Sequence, residues 1–227
     1  MNRPMIWLLI ALTVAILVGM VRPARAGDDW EWWLYTPLVH RMAGNVKLDA
    51  QGMFRWKNDM KDYYYRGVIA GGSYSLTSWV YLGAHFWYKE TRKDERSNWK
   101  YYDIYVVNLD FNYQPGSGFS LKEYNRIEYD NALYKWTLRA KPRVEYSLSA
   151  LGLKPVTFYL DNEFFFKFDL DDERDTFSEN RFTAAAAVKI IESFRVTVAY
   201  RSVAKQDSAT GDWGNTNVLV TSTQLSF

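Results

Sequence analysis

Residues 134–148 read YKWTLRAKPRVEYSL. Every second residue is apolar or aromatic: Tyr134, Trp136, Leu138, Ala140, Pro142, Val144, Tyr146 and Leu148. The residues between them, Lys135, Thr137, Arg139, Lys141, Arg143, Glu145 and Ser147, are polar or charged. A period of two places the two sets on opposite faces of a strand. Aromatics rim the apolar face, and the other face holds more charge than a packed soluble core tolerates. Lipid on one side and a polar lumen on the other suits such a strand. The stretch therefore predicts an all-β chain, an antiparallel transmembrane β-barrel.

The same alternation recurs outward from this stretch. Val46, Leu48, Ala50, Phe54 and Trp56 interleave with Lys47, Asp49, Gln51 and Arg55. Val80, Leu82, Ala84, Phe86 and Tyr88 interleave with Tyr81, Gly83, His85 and Trp87. Tyr105, Val107, Leu109, Phe111 and Tyr113 interleave with Asn108, Asp110 and Asn112. Phe182 to Ile190 and Phe194 to Tyr200 repeat it, with Arg181, Thr183, Lys189, Arg195, Thr197 and Arg201 on the polar side. Phe119 to Tyr129 is less clean. It places Glu123 and Asn125 outward, which predicts a bulge or a shortened apolar band. Phe158 to Phe168 places Asn162 among outward phenylalanines. Pro142 cannot donate to a ladder, so a bulge is expected there too.

Short connections (Thr77-Ser78, Gln114 to Ser117, Ile191 to Ser193) alternate with long polar ones (Lys89 to Trp99, Asp169 to Ser178, Ser202 to Thr216). Barrels of the outer membrane show this asymmetry. From Asn45 onward there are about ten strands. Asp28 to Leu38, with Trp30, Trp32, Trp33, Leu34 and Tyr35, is left over. An eleventh strand would break the usual even count, so residues 27–44 read as an aromatic segment ahead of a barrel spanning 45–227. Twelve strands is the alternative.

Residues 1–26 read as a secretory signal: Arg3, an uncharged apolar run from Ile6 to Val21, and Ala24-Arg25-Ala26 as a small-x-small cleavage site. The competing reading of that run is a membrane anchor. No later run approaches ~18 apolar residues, the length of a spanning helix. There is no cysteine, hence no disulfide. The leader holds Arg3, Arg22 and Arg25 and no acid, so 25 of the 28 basic residues remain against 26 acidic ones. That balance gives no reason to expect nucleic acid. Aromatics make up 18% of the chain, and Tyr and Trp suit membrane interfaces. Leu219, Thr221, Thr223, Leu225 and Phe227 form an amphipathic last strand. Its terminal Phe resembles the signal that outer-membrane barrels present to their assembly machinery. The expected compartment is the bacterial outer membrane, after cleavage near Ala26.

Four short motifs carry a family resemblance: the tryptophan-rich start at Trp30 to Trp33, Asn125-Arg126-Ile127-Glu128, Asp161-Asn162-Glu163-Phe164-Phe165, and Glu179-Asn180-Arg181. From about Trp30 to Phe227 the chain resembles an uncharacterised family of bacterial outer-membrane barrels, classed as a domain of unknown function. More loosely, it resembles small substrate-specific porins. The resemblance implies fold and compartment and carries no activity.

The polar faces gather Arg126, Glu128, Lys135, Arg139, Lys141, Arg143, Glu145, Asp161, Glu163, Arg181, Lys189, Arg195 and Arg201. One reading is a narrow Arg/Lys-rich pore that passes small anionic solutes. The other is a closed barrel whose charges pair across a narrow interior, since small barrels are filled by side chains. In that reading the loops bind a partner or the outer-leaflet glycolipid. Lys89, Arg92, Lys93, Arg96 and Lys100 would attract its phosphates, although Glu90, Asp94 and Glu95 lie among them. A third class is an outer-membrane hydrolase. The only histidines, His40 and His85, have no diagnostic Ser spacing, so no enzyme is expected. Asp171, Asp172, Glu173 and Asp175 lack the glycine and distal Glu of a calcium loop. No metal or cofactor is expected.

Overall fold

In a computed structural model, residues 30–41, 44–94, 96–116, 118–148, 156–169, 176–206 and 211–227 are described. The expected leader and the acidic run Asp171, Asp172, Glu173 and Asp175 lie outside them. Eleven strands follow one another: β1 Trp30–Arg41, β2 Val46–Lys57, β3 Asp62–Ser75, β4 Val80–Thr91, β5 Lys100–Gly116, β6 Phe119–Asp130, β7 Lys135–Ser147, β8 Val156–Asp169, β9 Thr176–Ile191, β10 Phe194–Gln206 and β11 Trp213–Ser226. They form one closed barrel in which each strand pairs with its sequence neighbours and β1 pairs with β11.

This corrects the expected strand count. Trp30–Arg41, read as a segment ahead of the barrel, is its first strand. An odd number of strands in an up-and-down order leaves the first and last pointing the same way. The seam is accordingly parallel, from Trp30↔Asn217 to Val39↔Ser226, and every other pair is antiparallel. Alternation was hidden in β1 because aromatics occupy both faces. Trp32 turns outward, stacks on Trp56 with ring centroids 4.5 Å apart and donates to Thr221 Oγ1. Trp33 turns inward and is 3% exposed.

The up-and-down order also sorts the connections. One rim carries Trp30 and the β2–β3, β4–β5, β6–β7, β8–β9 and β10–β11 connections; the other carries the remaining five and Phe227. All three long polar connections fall on the Trp30 rim, shortened because the strands run further than expected: β4 reaches Thr91, β9 starts at Thr176 and β10 reaches Gln206.

The facing assignments hold along the strands. On β5, Tyr105, Val107 and Leu109 are exposed while Ile104 and Val106 are buried. On β4, Leu82, Phe86 and Tyr88 are exposed and Trp87 is buried. The outer face of these strands thus carries many exposed large apolar side chains.

Neither the β6–β7 nor the β7–β8 pairing shows a bulge, and of the two expectations for Phe119 to Tyr129 the shortened apolar band is the one that fits. β6 pairs with β7 without a shift from Phe119↔Tyr146 to Asp130↔Lys135, so Glu123 and Asn125 stay outward. At Pro142 the β7–β8 register is kept but pairing lapses between Ala140↔Phe164 and Arg143↔Asp161. A missing N–H opens a gap in the ladder without adding a residue. Register shifts fall at Tyr113/Gly116 of β5, opposite Leu121 and Phe119 of β6, and at Arg55/Trp56, Phe165/Phe166 and Phe194/Arg195.

Candidate functional site: the barrel interior

Register decides which inward charges meet. It sets Arg126 directly opposite Arg139, and Lys122 opposite Arg143. Like charges facing each other are destabilising, and relief comes from the diagonal neighbours. Arg139 Nη1 donates to Glu128 Oε1 at 2.5 Å, while its Nη2 and Nε donate to Glu163 Oε1 at 2.5 and 3.1 Å. Lys122 Nζ donates to Glu145 Oε2 at 2.6 Å. Arg143 grips Asp161 Oδ2 through Nη2 at 2.7 Å and Nε at 3.0 Å, and its Nη1 lies 3.4 Å from Glu145. Lys141 lies 3.7 Å from Asp161, Arg126 3.6 Å from Glu128 and Arg181 3.7 Å from Glu163. Arg181 also pairs with Glu179.

These groups are deeply buried. The side chains of Asp161, Glu163 and Arg139 are 0%, 6% and 11% exposed. Charges withdrawn from water this far require partners.

A second part of the interior is aromatic and aliphatic. Met53, Tyr65, Ile69, Trp87, Ile104 and Val106 pack together, and Trp33 packs with Ala185, Ala199, Val203, Val218 and Val220. Tyr35 touches both clusters. Arg55 is held by ring faces, 3.9 Å from the Trp33 centroid and 4.2 Å from Tyr65. Arg201 is 6% exposed and donates to Thr183 Oγ1. His85 Nε2 lies 2.9 Å from Asp49 Oδ1. Gly83 makes room for Asn108, whose Oδ1 would lie 2.6 Å from any Cβ added there.

Ten of the thirteen predicted charges gather in this interior. Lys135, at the start of β7, is exposed at the Trp30 rim; Arg195 is exposed near the other rim, where Lys189 pairs with Glu192. Phe227 stands at that rim, its N–H donating to Val39 O across the β1–β11 seam. Sequence reasoning left out Arg55, Lys122, Lys89 and Glu179. Alternation alone marks the first two as inward. Lys89, expected in an outer loop, turns inward, 3.7 Å from Asp130 and 4.8 Å from the Tyr102 ring centroid.

The Trp30 rim carries a separate aromatic and basic group. Trp56, Tyr63 and Trp99 form a chain of ring contacts. Arg66 and Arg92 lie 4.7 and 5.0 Å from the Trp99 centroid, and Arg66 also pairs with Glu90. In the adjoining β4–β5 loop, a hydrogen bond from the Ser97 side chain holds the Asp94 carboxyl below its usual range, with help from the Arg96 N–H.

The middle of the interior is filled. Val218, Thr183, Val106 and Asp161 are 0%, 1%, 2% and 3% exposed, so water does not reach them. Filling of this kind suits a barrel much nearer eight strands than sixteen.

Members of the four resemblance motifs meet here. Trp33 lies 5.1 Å from the Arg181 guanidinium, which is 4.3 Å from the Phe165 ring centroid and paired with Glu163; Arg139 joins Glu163 to Glu128. No curated protein matches the chain. A family model described as "Protein of unknown function (DUF2490)" matches residues 30–215, from the first residue of β1 into β11. Spanning most of the chain and every strand of the barrel, that match shows that the protein belongs to the DUF2490 family of proteins of unknown function.

Proposed function

We propose that this chain is a bacterial outer-membrane β-barrel that stands closed, a structural barrel whose interior charges tie strands together instead of lining an open path. One observation carries the reading: Arg139 is buried between Glu128 and Glu163, with bonds to both. The apolar outer face supports the membrane location, as do aromatic pairs near both ends of β6 and β7, Phe119–Tyr146 and Tyr129–Trp136. Of the connections longer than four residues, 92–99, 170–175 and 207–212 lie on the Trp30 rim and only 148–155 on the other, which favours the Trp30 rim as the outer one. There Arg66, Arg92 and Trp99 would meet phosphate headgroups of the outer-leaflet glycolipid. In this reading the Phe227 rim faces the periplasm and the assembly machinery. The chain does no catalysis, and His85 serves packing beside Asp49.

A second reading, passage of small anions, draws on Arg55 and Arg201, which have no acid in ion-pair reach among the described residues. The purified barrel in a planar bilayer separates the two. The closed reading expects no steady conductance. A stable anion-preferring conductance, weakened at low salt by Arg55→Glu, would overturn it in favour of transport.

A further inference from the structure

Six outward positions run along β6 from the Phe227 rim to the Trp30 rim: Phe119, Leu121, Glu123, Asn125, Ile127 and Tyr129. Their partners on β7 are Tyr146, Val144, Pro142, Ala140, Leu138 and Trp136. The aromatic pairs at the two ends have ring centroids 4.6 and 4.8 Å apart. Aliphatic pairs come next inside. The two central steps, where an apolar band is expected to be purest, set Glu123 and Asn125 against the small residues Pro142 and Ala140. The polar character continues beyond β7. Asn162 lies outward on β8 beside Phe182 of β9, and Asn180 Nδ2 donates to its Oδ1 at 2.9 Å. A carboxyl group and three amides therefore flank a shallow floor at mid-band. A groove of about 450 Å³ lies over the Pro142 end of this floor and extends toward the Phe227 rim, lined by Leu121, Glu123, Pro142, Val144, Leu160 and Asn162 among others.

Lipid offers this patch nothing. Glu123 is exposed and has no ion-pair or side-chain hydrogen-bond partner among the described residues. A polar group facing hydrocarbon is costly, and charge on the lipid face costs most at mid-membrane. Water cannot supply the missing bonds at that depth. A protein surface of matching chemistry can.

On the reading above that the barrel spans a membrane, we infer that this patch is a two-fold interface on which a second copy of the chain docks, β7 against β7. The occupant follows from the layout. The carboxylate acceptor stands on β6, and the paired amides stand on β8 and β9, with β7 between them. A two-fold axis passing Ala140 and Pro142 sets the β6 side of each copy against the β8–β9 side of the other. Glu123 then accepts from amide N–H groups of Asn162 or Asn180 across the axis, twice over. Isologous contacts need such self-complementarity. The small floor lets the backbones approach, as small residues do wherever packing must replace the hydrophobic effect in lipid.

Because the chain has no cysteine, single introduced thiols report the contact directly. The full barrel carrying Ala140→Cys is reconstituted in phospholipid vesicles and oxidised with copper phenanthroline. It should form a covalent dimer. Val68→Cys, outward on β3 and 52% exposed, should remain largely monomeric. Adding Glu123→Leu and Asn162→Leu to Ala140→Cys should abolish the dimer while the heat-modifiable migration of the folded barrel persists. A monomer from Ala140→Cys in vesicles, or equal dimer from both thiols, would overturn the inference. Failure of the protein to float with the vesicles, scored before oxidation, would overturn the membrane reading itself and this inference with it.

Discussion

Arg139, Arg143, Lys122, Glu128, Asp161 and Glu163 fill one side of the barrel through charge; Met53, Tyr65, Ile69, Trp87, Ile104 and Val106 fill another through packing. The charged side stands on β6–β8 and the packed side on β2–β5, strands of the same alternating kind, yet they answer to different physics. Packed side chains lose free energy locally when one is trimmed, because the neighbours lose contacts and a cavity remains. Paired charges fail as a group, because removing one leaves others buried without a partner. Trp33 and Phe165 join the two sides, offering ring faces to Arg55, Arg181 and Arg139. The difference teaches that a filled barrel need not be uniformly held together. The charged side should be the more specific about its partners and the less tolerant of single changes.

The largest effect should come from Glu163→Leu, which leaves Arg139 and Arg181 short of their shared acid. Breaking a buried pair this way should cost about 3–5 kcal/mol, read from the urea midpoint of the folded barrel by tryptophan fluorescence. Combined with Arg139→Leu, the loss should fall well short of the sum of the two single losses. Simple additivity would erase the distinction between the two sides.

A smaller effect should follow Ile104→Val on the packed side, where the residue is 2% exposed. The expected cost is about 0.5–1.5 kcal/mol. Combined with Glu163→Leu it should add within about 0.5 kcal/mol, since the two residues belong to different groups of the interior. Strong coupling between them would mean that the interior responds as a single unit.

The smallest effect should be Lys189→Ala at the Phe227 rim. Its side chain is 38% exposed and that of its partner Glu192 is 95% exposed. The change should alter stability by less than about 1 kcal/mol, and salt should remove most of that. A loss as large as that of Glu163→Leu would show that ion pairing as such, not burial, decides the cost.

Much of this was readable along the chain. The opening stretch separates Arg139, Lys141 and Arg143 from Leu138, Ala140 and Val144, and the structure keeps that division. The same rule marks Arg55 and Lys122 as inward, although they were not placed among the lining charges. Glu123, Asn125 and Asn162 broke the apolar pattern, and for the first two a bulge or a shortened apolar band was expected. The structure keeps β6 and β7 in register there and leaves the polar groups outside. The exception to the pattern was the informative feature, because an unrepaired polar group in an apolar band marks a surface with a partner to find.

Facing and fold class follow from the sequence alone because they depend on a local period of two, which a strand enforces wherever it lies. The tertiary structure alone decided the eleventh strand, the parallel seam and the partners of each charge. Trp32 and Trp33 look alike in sequence, and only closure against β11 shows that one faces outward and the other fills the interior. Arg126 and Arg139 are thirteen positions apart in sequence; their opposition, and its relief by Glu128 and Glu163, exist only once the strands are in register. Register is a property of the closed barrel as a whole, and a slip of one residue would turn every side chain of a strand to the other face.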